Sequence, residues 1–120
     1  MSKLCSIIIR TKNEQRWISS CLSAVFSQTY NNFEVIIVDN NSEDRTLDKV
    51  KKFPVEKIVG IDKYLPGESL NRGIRESKGD YIICLSGHCI PVNEYWLENL
   101  VNAIEEDDSF ELRPQLNSCI

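Results

Sequence analysis

Val35-Ile36-Ile37-Val38-Asp39-Asn40-Asn41-Ser42 is the segment that decides the fold, because four β-branched apolar residues run directly into four polar ones. Consecutive apolar residues predict a strand that is buried on both faces, as strands are in a parallel sheet. The polar residues then follow the carboxyl end of that strand, which is where open parallel sheets bind ligands. The segment therefore predicts both a parallel sheet and the position of a site.

Three more segments show the same apolar character, namely residues 4–9, 55–61 and 81–85. After each predicted strand, apolar residues recur at helical spacing, which predicts four helices. The alternation of strand and helix predicts an α/β fold, with a Rossmann-like, three-layer parallel sheet and helices on both faces.

Local signals predict where several of these helices begin and end. We expect Asn13 and Ser42 to cap the first two helices, with Trp17 on the buried face of the first. We expect Gly79 to end the third helix, since glycine is common just after a helix.

The composition describes one small domain and excludes several classes of protein. The chain has 120 residues, 42% of them hydrophobic and 27% charged, and we place the domain at residues 1–104, with 105–120 as a tail or truncated continuation. A formal charge of −4 argues against nonspecific nucleic-acid binding. No apolar run approaches the roughly 20 residues that cross a bilayer. Without a secretory signal, we expect a cytoplasmic protein, or one lying peripherally at the inner membrane face.

The cysteines point to buried thiols rather than to a metal site. They are odd in number, lie in apolar patterns and form no C-x-x-C pair: Cys5, Cys21, Cys84, Cys89 and Cys119. We therefore expect reduced, mostly buried thiols. Cys84 and Cys89 flank His88, but two thiols and one imidazole lack the fourth ligand of a zinc site.

Polar residues follow three of the predicted strands, at residues 10–14, 39–42 and 86–88. The carboxyl ends of parallel strands share one edge of a sheet, so we expect a single site there. A carboxylate such as Asp39 can accept a hydrogen bond from a nucleobase imide or a ribose hydroxyl. The chain has no G-x-x-x-x-G-K-[ST] and no G-x-G-x-x-G, which excludes a P-loop NTPase and argues against an ordinary dinucleotide dehydrogenase.

Each candidate also has a purely structural interpretation. Residues 39–42 could form only a tight turn and a helix cap, and His88 could be a loop histidine. Four more residues could serve as caps or as the solvated side of a helix: Thr11, Asn13, Asn71 and Arg72.

Taken together, the motifs resemble a known family. They are Ser6-Ile7-Ile8-Ile9-Arg10-Thr11-Lys12-Asn13-Glu14, residues 35–42 with Asp44 and Thr46, Leu70-Asn71-Arg72-Gly73 before residues 78–82, and residues 85–91 followed by Trp96-Leu97. This set resembles the family 2 glycosyltransferases over residues 4–104. The resemblance implies a truncated GT-A fold, and transfer of a sugar from a nucleotide diphosphate donor with inversion at the anomeric carbon.

The resemblance also implies roles for single residues. Thr11 and Glu14 would line the nucleoside pocket, and Asp39 would hydrogen-bond the base. Asn71 and Arg72 would lie near the donor. The full set of expected nucleotide-sugar-binding residues is Thr11, Asn13, Glu14, Asp39, Asn41, Asn71, Arg72, Ser86 and His88.

The family's Asp-x-Asp metal motif falls on Ser86-Gly87-His88, so a hydroxyl and an imidazole replace two carboxylates. Mg²⁺ and Mn²⁺ prefer carboxylate oxygens. The resemblance implies a Mn²⁺ or Mg²⁺ cofactor, for which His88 is the candidate ligand; alternatively, His88 contacts the diphosphate directly.

The implied function is binding of a nucleotide-diphosphate sugar, of the UDP, GDP or dTDP type, for hexosyl- or rhamnosyl-type transfer to a polysaccharide, lipid or protein acceptor. Inverting transfer needs a general base, which the family supplies after the last helix predicted here. We therefore expect a truncated chain without the acceptor half, or a subunit completed by another chain or by a second copy. The alternatives are a catalytically inactive nucleotide-sugar-binding subunit and a Rossmann-like interaction module without a ligand.

Overall fold

The computed structural model describes residues 2–61, 66–106 and 115–117, in which strands and helices alternate. The strands are β1 (Cys5–Thr11), β2 (Phe33–Asp39), β3 (Lys57–Gly60), β4 (Tyr81–Ser86) and β5 (Gln115–Asn117). The helices are α1 (Ile18–Val25), α2 (Thr46–Val50), α3 (Pro66–Glu76) and α4 (Trp96–Glu106). The predicted order of four strands and four helices is confirmed.

The sheet is parallel throughout and has the order β3-β2-β1-β4-β5. The central strand is β1, where Ile7 lies beside Val35 of β2 and Ile83 of β4. The chain first winds outward from β1 to β3 and then crosses to β4 on the other side of β1. The ends of β1 and β4 therefore form the topological switch point, where open α/β sheets bind ligands.

Side chains alternate between the two faces of the sheet, and each face carries its own apolar core. One core packs α1, α2 and α4 against the odd-numbered strand residues, including Ile7, Ile9, Val35, Ile37, Ile83 and Leu85. The other core packs Leu70 and Ile74 of α3 against even-numbered ones, including Ile8, Ile36, Val38, Ile82 and Cys84. The predicted three-layer arrangement with helices on both faces is confirmed.

The predicted start of the first helix is wrong. Helix α1 begins at Ile18 rather than after Asn13, and Trp17 is 44% exposed instead of buried. Ser42 does not cap α2, because its hydroxyl donates to the carboxylate of Asp39. Both errors have one cause: polar side chains of these two loops bond to each other instead of capping their own helices.

The strand β5 lies in the segment that was predicted to be a tail. Its residues pair with β4 in parallel, with Leu116 beside Ile83. A three-residue strand is too short to show a period in the sequence. Residues 107–114 and 118–120 lie outside the described residues, so the boundary at residue 104 stays a prediction.

The described helices are short. The longest, α3 and α4, have 11 residues each. Within the described ranges, no helix has the length and apolar character needed to cross a membrane.

The prediction of buried, reduced thiols is confirmed for Cys5, Cys21 and Cys84 and wrong for Cys89, which is disulfide-bonded. Burial raises the pKa of Cys5 to about 11 and that of Cys21 to about 12, and it also raises the pKa of Cys84. The difference follows from position, since the three free thiols lie inside the apolar layers whereas Cys89 is in the loop after β4.

We expect these three thiols to resist alkylation in the folded chain. The thiolate is the reactive form. Burial disfavours the thiolate and also blocks access of the reagent to the sulfur. Iodoacetamide at pH 8, followed by peptide mass mapping, should label Cys5, Cys21 and Cys84 only after unfolding in guanidinium chloride. Rapid labelling of Cys21 in the native chain would contradict the packing of α1 on the sheet.

Candidate functional site

A cavity of about 220 Å³ opens at the carboxyl-terminal edge of the sheet, near the ends of β1 and β4. Its wall is built from the carboxyl ends of β1 and β2 and from the loops that follow β1, β2 and β4. The lining residues are Arg10, Thr11, Lys12, Glu14, Val38, Asn40 and His88. The cavity therefore lies at the switch point that the strand order defines.

The loops after β1 and β2 are joined through the buried carboxylate of Asp39, which is 2% exposed. Thr11 Oγ1 donates to Asp39 Oδ1 over 2.5 Å. Ser42 donates to the same carboxylate twice, from Oγ to Oδ1 over 2.6 Å and from its backbone N to Oδ2 over 2.8 Å. These three bonds engage both carboxylate oxygens and hold Thr11 in the cavity wall.

Asparagine residues extend this connection. The side chain of Asn13 accepts a hydrogen bond from the backbone N of Glu43 over 2.8 Å, and the backbone N of Asn13 donates to Ser42 Oγ over 2.9 Å. Both Asn13 and Asn41 have a φ of 52°, a left-handed conformation that asparagine tolerates better than most residues. Lys12 Nζ donates to the carbonyl of Asn41 over 3.1 Å. The two loops therefore form one hydrogen-bonded unit.

The start of α2 anchors the loop before α1. Thr46 Oγ1 accepts from the backbone N of Glu14 over 2.7 Å and donates to Asp44 Oδ1. Burial acts to raise the pKa of Asp44, but hydrogen bonds from Thr46 and from the backbone N of Gln15 outweigh it and lower the pKa overall. Asp44 thus serves as an ionised acceptor between the two loops.

The loop after β4 meets the same unit through Glu14. His88 Nδ1 lies 2.8 Å from Glu14 Oε2; because a carboxylate oxygen accepts, Nδ1 carries the donated proton. The His88 side chain is 55% exposed and that of Glu14 is 17% exposed. Gly87 permits the approach, since a Cβ there would lie 3.0 Å from Thr11 Cγ2 and 3.1 Å from Glu14 Cγ.

Positive charge is concentrated at this cavity in a chain whose formal charge is −4. Arg10 and Lys12 both line it. Arg10 Nη2 also makes a long hydrogen bond of 3.4 Å to Ser86 Oγ. Cationic groups in a concave site attract anions, and a guanidinium and an ammonium are the usual protein ligands of phosphate groups.

The structure brings three of the nine predicted site residues into the cavity lining: Thr11, Glu14 and His88. Four more contact the lining residues or their loops: Asn13, Asp39, Asn41 and Ser86. Asn71 and Arg72 are on α3 and are not part of the lining. The roles assigned to all nine stay predictions.

Sequence reasoning placed Arg10, Lys12 and Asn40 in the polar clusters of the expected site but gave none of them a role in binding. A usable signal for the first two was present, because two basic residues stand at the carboxyl end of a buried strand. Val38 was missed, and it reaches the lining because β2 lies next to β1.

The described residues do not form a Mn²⁺ or Mg²⁺ site of the Asp-x-Asp kind. Among them, no group of three or more His, Cys, Asp or Glu residues is arranged to hold a metal ion. Ser86 Oγ faces a guanidinium, and Asp39 and Asp44 use their oxygens within the loops. Hard divalent cations require several free oxygen ligands, which the side chains around His88 do not provide.

Comparison with known proteins gives a family match over most of the chain. The sequence profile described as "Glycosyl transferase family 2" matches residues 6–111. One similar protein is the dolichyl N-acetyl-alpha-D-glucosaminyl phosphate 3-beta-D-2,3-diacetamido-2,3-dideoxy-beta-D-glucuronosyltransferase of Methanococcus voltae, which is 35% identical over 103 residues, covering 79% of this chain and 32% of the relative. The chain therefore spans about a third of the length of this relative.

Solved structures show the same fold. The crystal structure of S. aureus TarS in complex with UDP-GlcNAc superimposes with a TM-score of 0.76 at 24% identity, over 85% of this chain and 31% of that one. Glucosyl-3-phosphoglycerate synthase of Mycobacterium tuberculosis, in complex with Mn²⁺, UDP and glucosyl-3-phosphoglycerate, superimposes with a TM-score of 0.76 at 18% identity, over 88% and 41%. At these identities the likeness establishes the fold alone, which is of the GT-A type.

Proposed function

This chain belongs to glycosyl transferase family 2, and we propose that it binds a nucleotide-diphosphate sugar in the cavity between the ends of β1 and β4, as the donor-binding part of an inverting glycosyltransferase. The observation that carries the proposal is that Arg10, Lys12 and His88 surround one cavity at the switch point. Such an arrangement suits a diphosphate. The complexes of two structural neighbours with UDP-GlcNAc and with UDP support this ligand class.

The nucleoside would lie against Thr11, with Asp39 as the acceptor for the base. A carboxylate has about four acceptor positions, and Thr11 and Ser42 occupy three of those on Asp39. The remaining position is on Oδ2, and the proposal assigns it to a nucleobase imide. Asn13 and Asn41 would then act by holding the two loops together.

In this proposal these residues bind the donor, and the transfer step depends on other residues. Transfer with inversion needs a carboxylate that removes a proton from the acceptor hydroxyl. Among the described residues of the cavity lining, Glu14 alone carries a carboxylate, and His88 already engages it. The name of the M. voltae relative includes a dolichyl-linked sugar phosphate, which supports a lipid-linked acceptor. Localisation in the cytoplasm and the oligomeric state stay predictions.

A second candidate function is that of a nucleotide-sugar-binding subunit without catalysis. The replacement of two carboxylates by Ser86 and His88 favours it. It predicts binding of the same ligands but no release of the sugar from the nucleotide when an acceptor is supplied.

Calorimetric titration of the chain with UDP, GDP and dTDP, each with Mn²⁺ and with EDTA, tests the proposal. We expect saturable binding of at least one of the three, because the cavity offers cations for the diphosphate that all three share. The opposite result would be a chain that is folded by circular dichroism but gives no binding heat and no shift of the unfolding temperature with any of the three nucleotides. That result would contradict the proposal and would favour an interaction module that binds no nucleotide.

A further inference from the structure

The pairing of His88 with Glu14 leaves one ring nitrogen of the histidine for a ligand. Nδ1 is occupied by Glu14 Oε2 at 2.8 Å, so Nε2 is the nitrogen that remains. The ring is 55% exposed and belongs to the lining of the cavity. A carboxylate on one nitrogen fixes the orientation of the ring for a ligand on the other.

Two kinds of ligand could meet Nε2. A divalent cation would bind the lone pair of the neutral ring, whereas a phosphate oxygen would accept from Nε2–H of a ring that is protonated on both nitrogens and paired with the Glu14 carboxylate. The charges around the cavity decide between the two. Arg10 and Lys12 line the same cavity. A divalent cation at this place would be repelled by both, whereas a diphosphate would be attracted by both. Among the described residues the metal would also find few free carboxylate oxygens, because Glu14 is paired with His88 and the carboxylates of Asp39 and Asp44 accept hydrogen bonds within the loops.

Given the proposed function, on which this step rests, we infer that Arg10, Lys12 and His88 hold the diphosphate directly, in place of a divalent cation. Glu14 is a positioning residue that keeps His88 turned toward the ligand. In this chain the substitution of Asp-x-Asp by Ser86-Gly87-His88 therefore changes how the diphosphate charge is neutralised, from a metal ion to side chains.

The first arm of the test compares UDP affinity in EDTA and in Mn²⁺ by calorimetry. We expect UDP to bind in EDTA, and to bind no more tightly when Mn²⁺ is present. Binding that appears only with Mn²⁺ would overturn the inference while leaving the proposed function intact. Absence of binding of UDP, GDP and dTDP under both conditions would overturn the proposed function and this inference with it.

The second arm uses His88→Ala, which removes an exposed side chain and should leave the fold unchanged by circular dichroism. We expect a loss of UDP affinity of about tenfold, the size of one lost charge-assisted contact. Uridine, which has no phosphate, should bind the variant and the parent equally in NMR titrations. Lys52→Ala is the matched control, since Lys52 is exposed and lies in the turn after α2. Unchanged UDP affinity in His88→Ala would overturn the role of His88.

The third arm separates positioning from charge at Glu14. Removing a negative charge near a diphosphate should by itself tighten binding. If Glu14 holds His88 in place, Glu14→Ala should instead weaken UDP binding, and Glu14→Gln, whose amide oxygen can still accept from Nδ1, should restore it. Tighter binding by Glu14→Ala would show that its charge alone matters and would refute the positioning role.

Discussion

Replacing Asp39 with alanine is expected to weaken UDP binding by at least about tenfold and to lower the free energy of unfolding by about 1–3 kcal/mol. Both effects have the same origin. The carboxylate is 2% exposed and accepts from the hydroxyls of Thr11 and Ser42 and from the backbone N of Ser42. Without it these donors lose their partner, and Thr11 is released from the cavity wall.

Two measurements check this expectation, namely calorimetric titration with UDP and urea unfolding followed by circular dichroism. Asp48→Ala is the control, because Asp48 is exposed and its ion pair with Arg45, at 3.9 Å, is exposed too. Such pairs contribute little, so both quantities should stay within error of the parent. The titration is run well below the midpoint of unfolding so that it reports binding alone. An Asp39→Ala chain that binds UDP as the parent does would refute a role for Asp39 in the site.

Thr11→Val separates direct contact with the base from positioning by Asp39. Valine has the shape of threonine but cannot donate to the carboxylate. If Asp39 contacts the base directly, Asp39→Ala should weaken UDP binding more than Thr11→Val does. Equal losses would indicate that Asp39 acts through Thr11.

The second large effect is expected for Gly79→Ala, which should lower the free energy of unfolding by about 1–3 kcal/mol, the range of overpacked cores. A Cβ at this position would lie 2.4 Å from Ser6 Oγ and 2.6 Å from the backbone N of Ser6. Ser6 is completely buried in the central strand, so its backbone cannot shift without disturbing the sheet.

The clash would also break a small polar network under the sheet. Ser6 Oγ accepts from the backbone N of Gly79 over 2.7 Å and donates to Glu34 Oε2 over 2.5 Å, while the backbone N of Lys78 donates to the same carboxylate over 2.7 Å. These bonds connect the loop after α3 to β1 and β2. Their loss adds to the steric cost.

Chemical unfolding of Gly79→Ala and of Gly60→Ala provides a matched comparison. At Gly60, no atom lies within 4 Å of a built Cβ, and none of the described glycines has a positive φ. Gly60→Ala should therefore leave the free energy of unfolding unchanged, or raise it by about 0.4–1 kcal/mol, because alanine lowers the conformational entropy of the unfolded chain. Equal stability of the two variants would contradict the close approach at Gly79.

The role of Gly79 also shows where local reasoning fails. The sequence predicts a helix stop at this glycine, but α3 ends at Glu76. A glycine in a left-handed cap and a glycine under a strand look alike in the sequence. Only the position of Ser6, 73 residues away along the chain, distinguishes them.

The same limit applies to the two loops of the site. Asn13 and Ser42 have the residue types of helix caps, and local preference assigns each to the helix that follows it. In the folded chain they bond to each other's loops, because parallel pairing places Thr11 beside Asp39. Once the strands are paired, the cross-loop partners are closer than the helix ends, and α1 begins only at Ile18.

The sequence by itself determined the architecture of this protein and the edge on which its site lies. The architecture follows from apolar runs such as residues 35–38, because such patterns are local properties of the sequence. The edge follows from the polar residues after these runs, because the carboxyl ends of parallel strands must share one edge of the sheet. The tertiary structure decided the strand order, the switch point between β1 and β4, and therefore which side chains meet. The pairing of Glu14 with His88 and the placement of Arg10 and Lys12 around one cavity depend on distances between residues far apart in the chain, and no local pattern contains those distances.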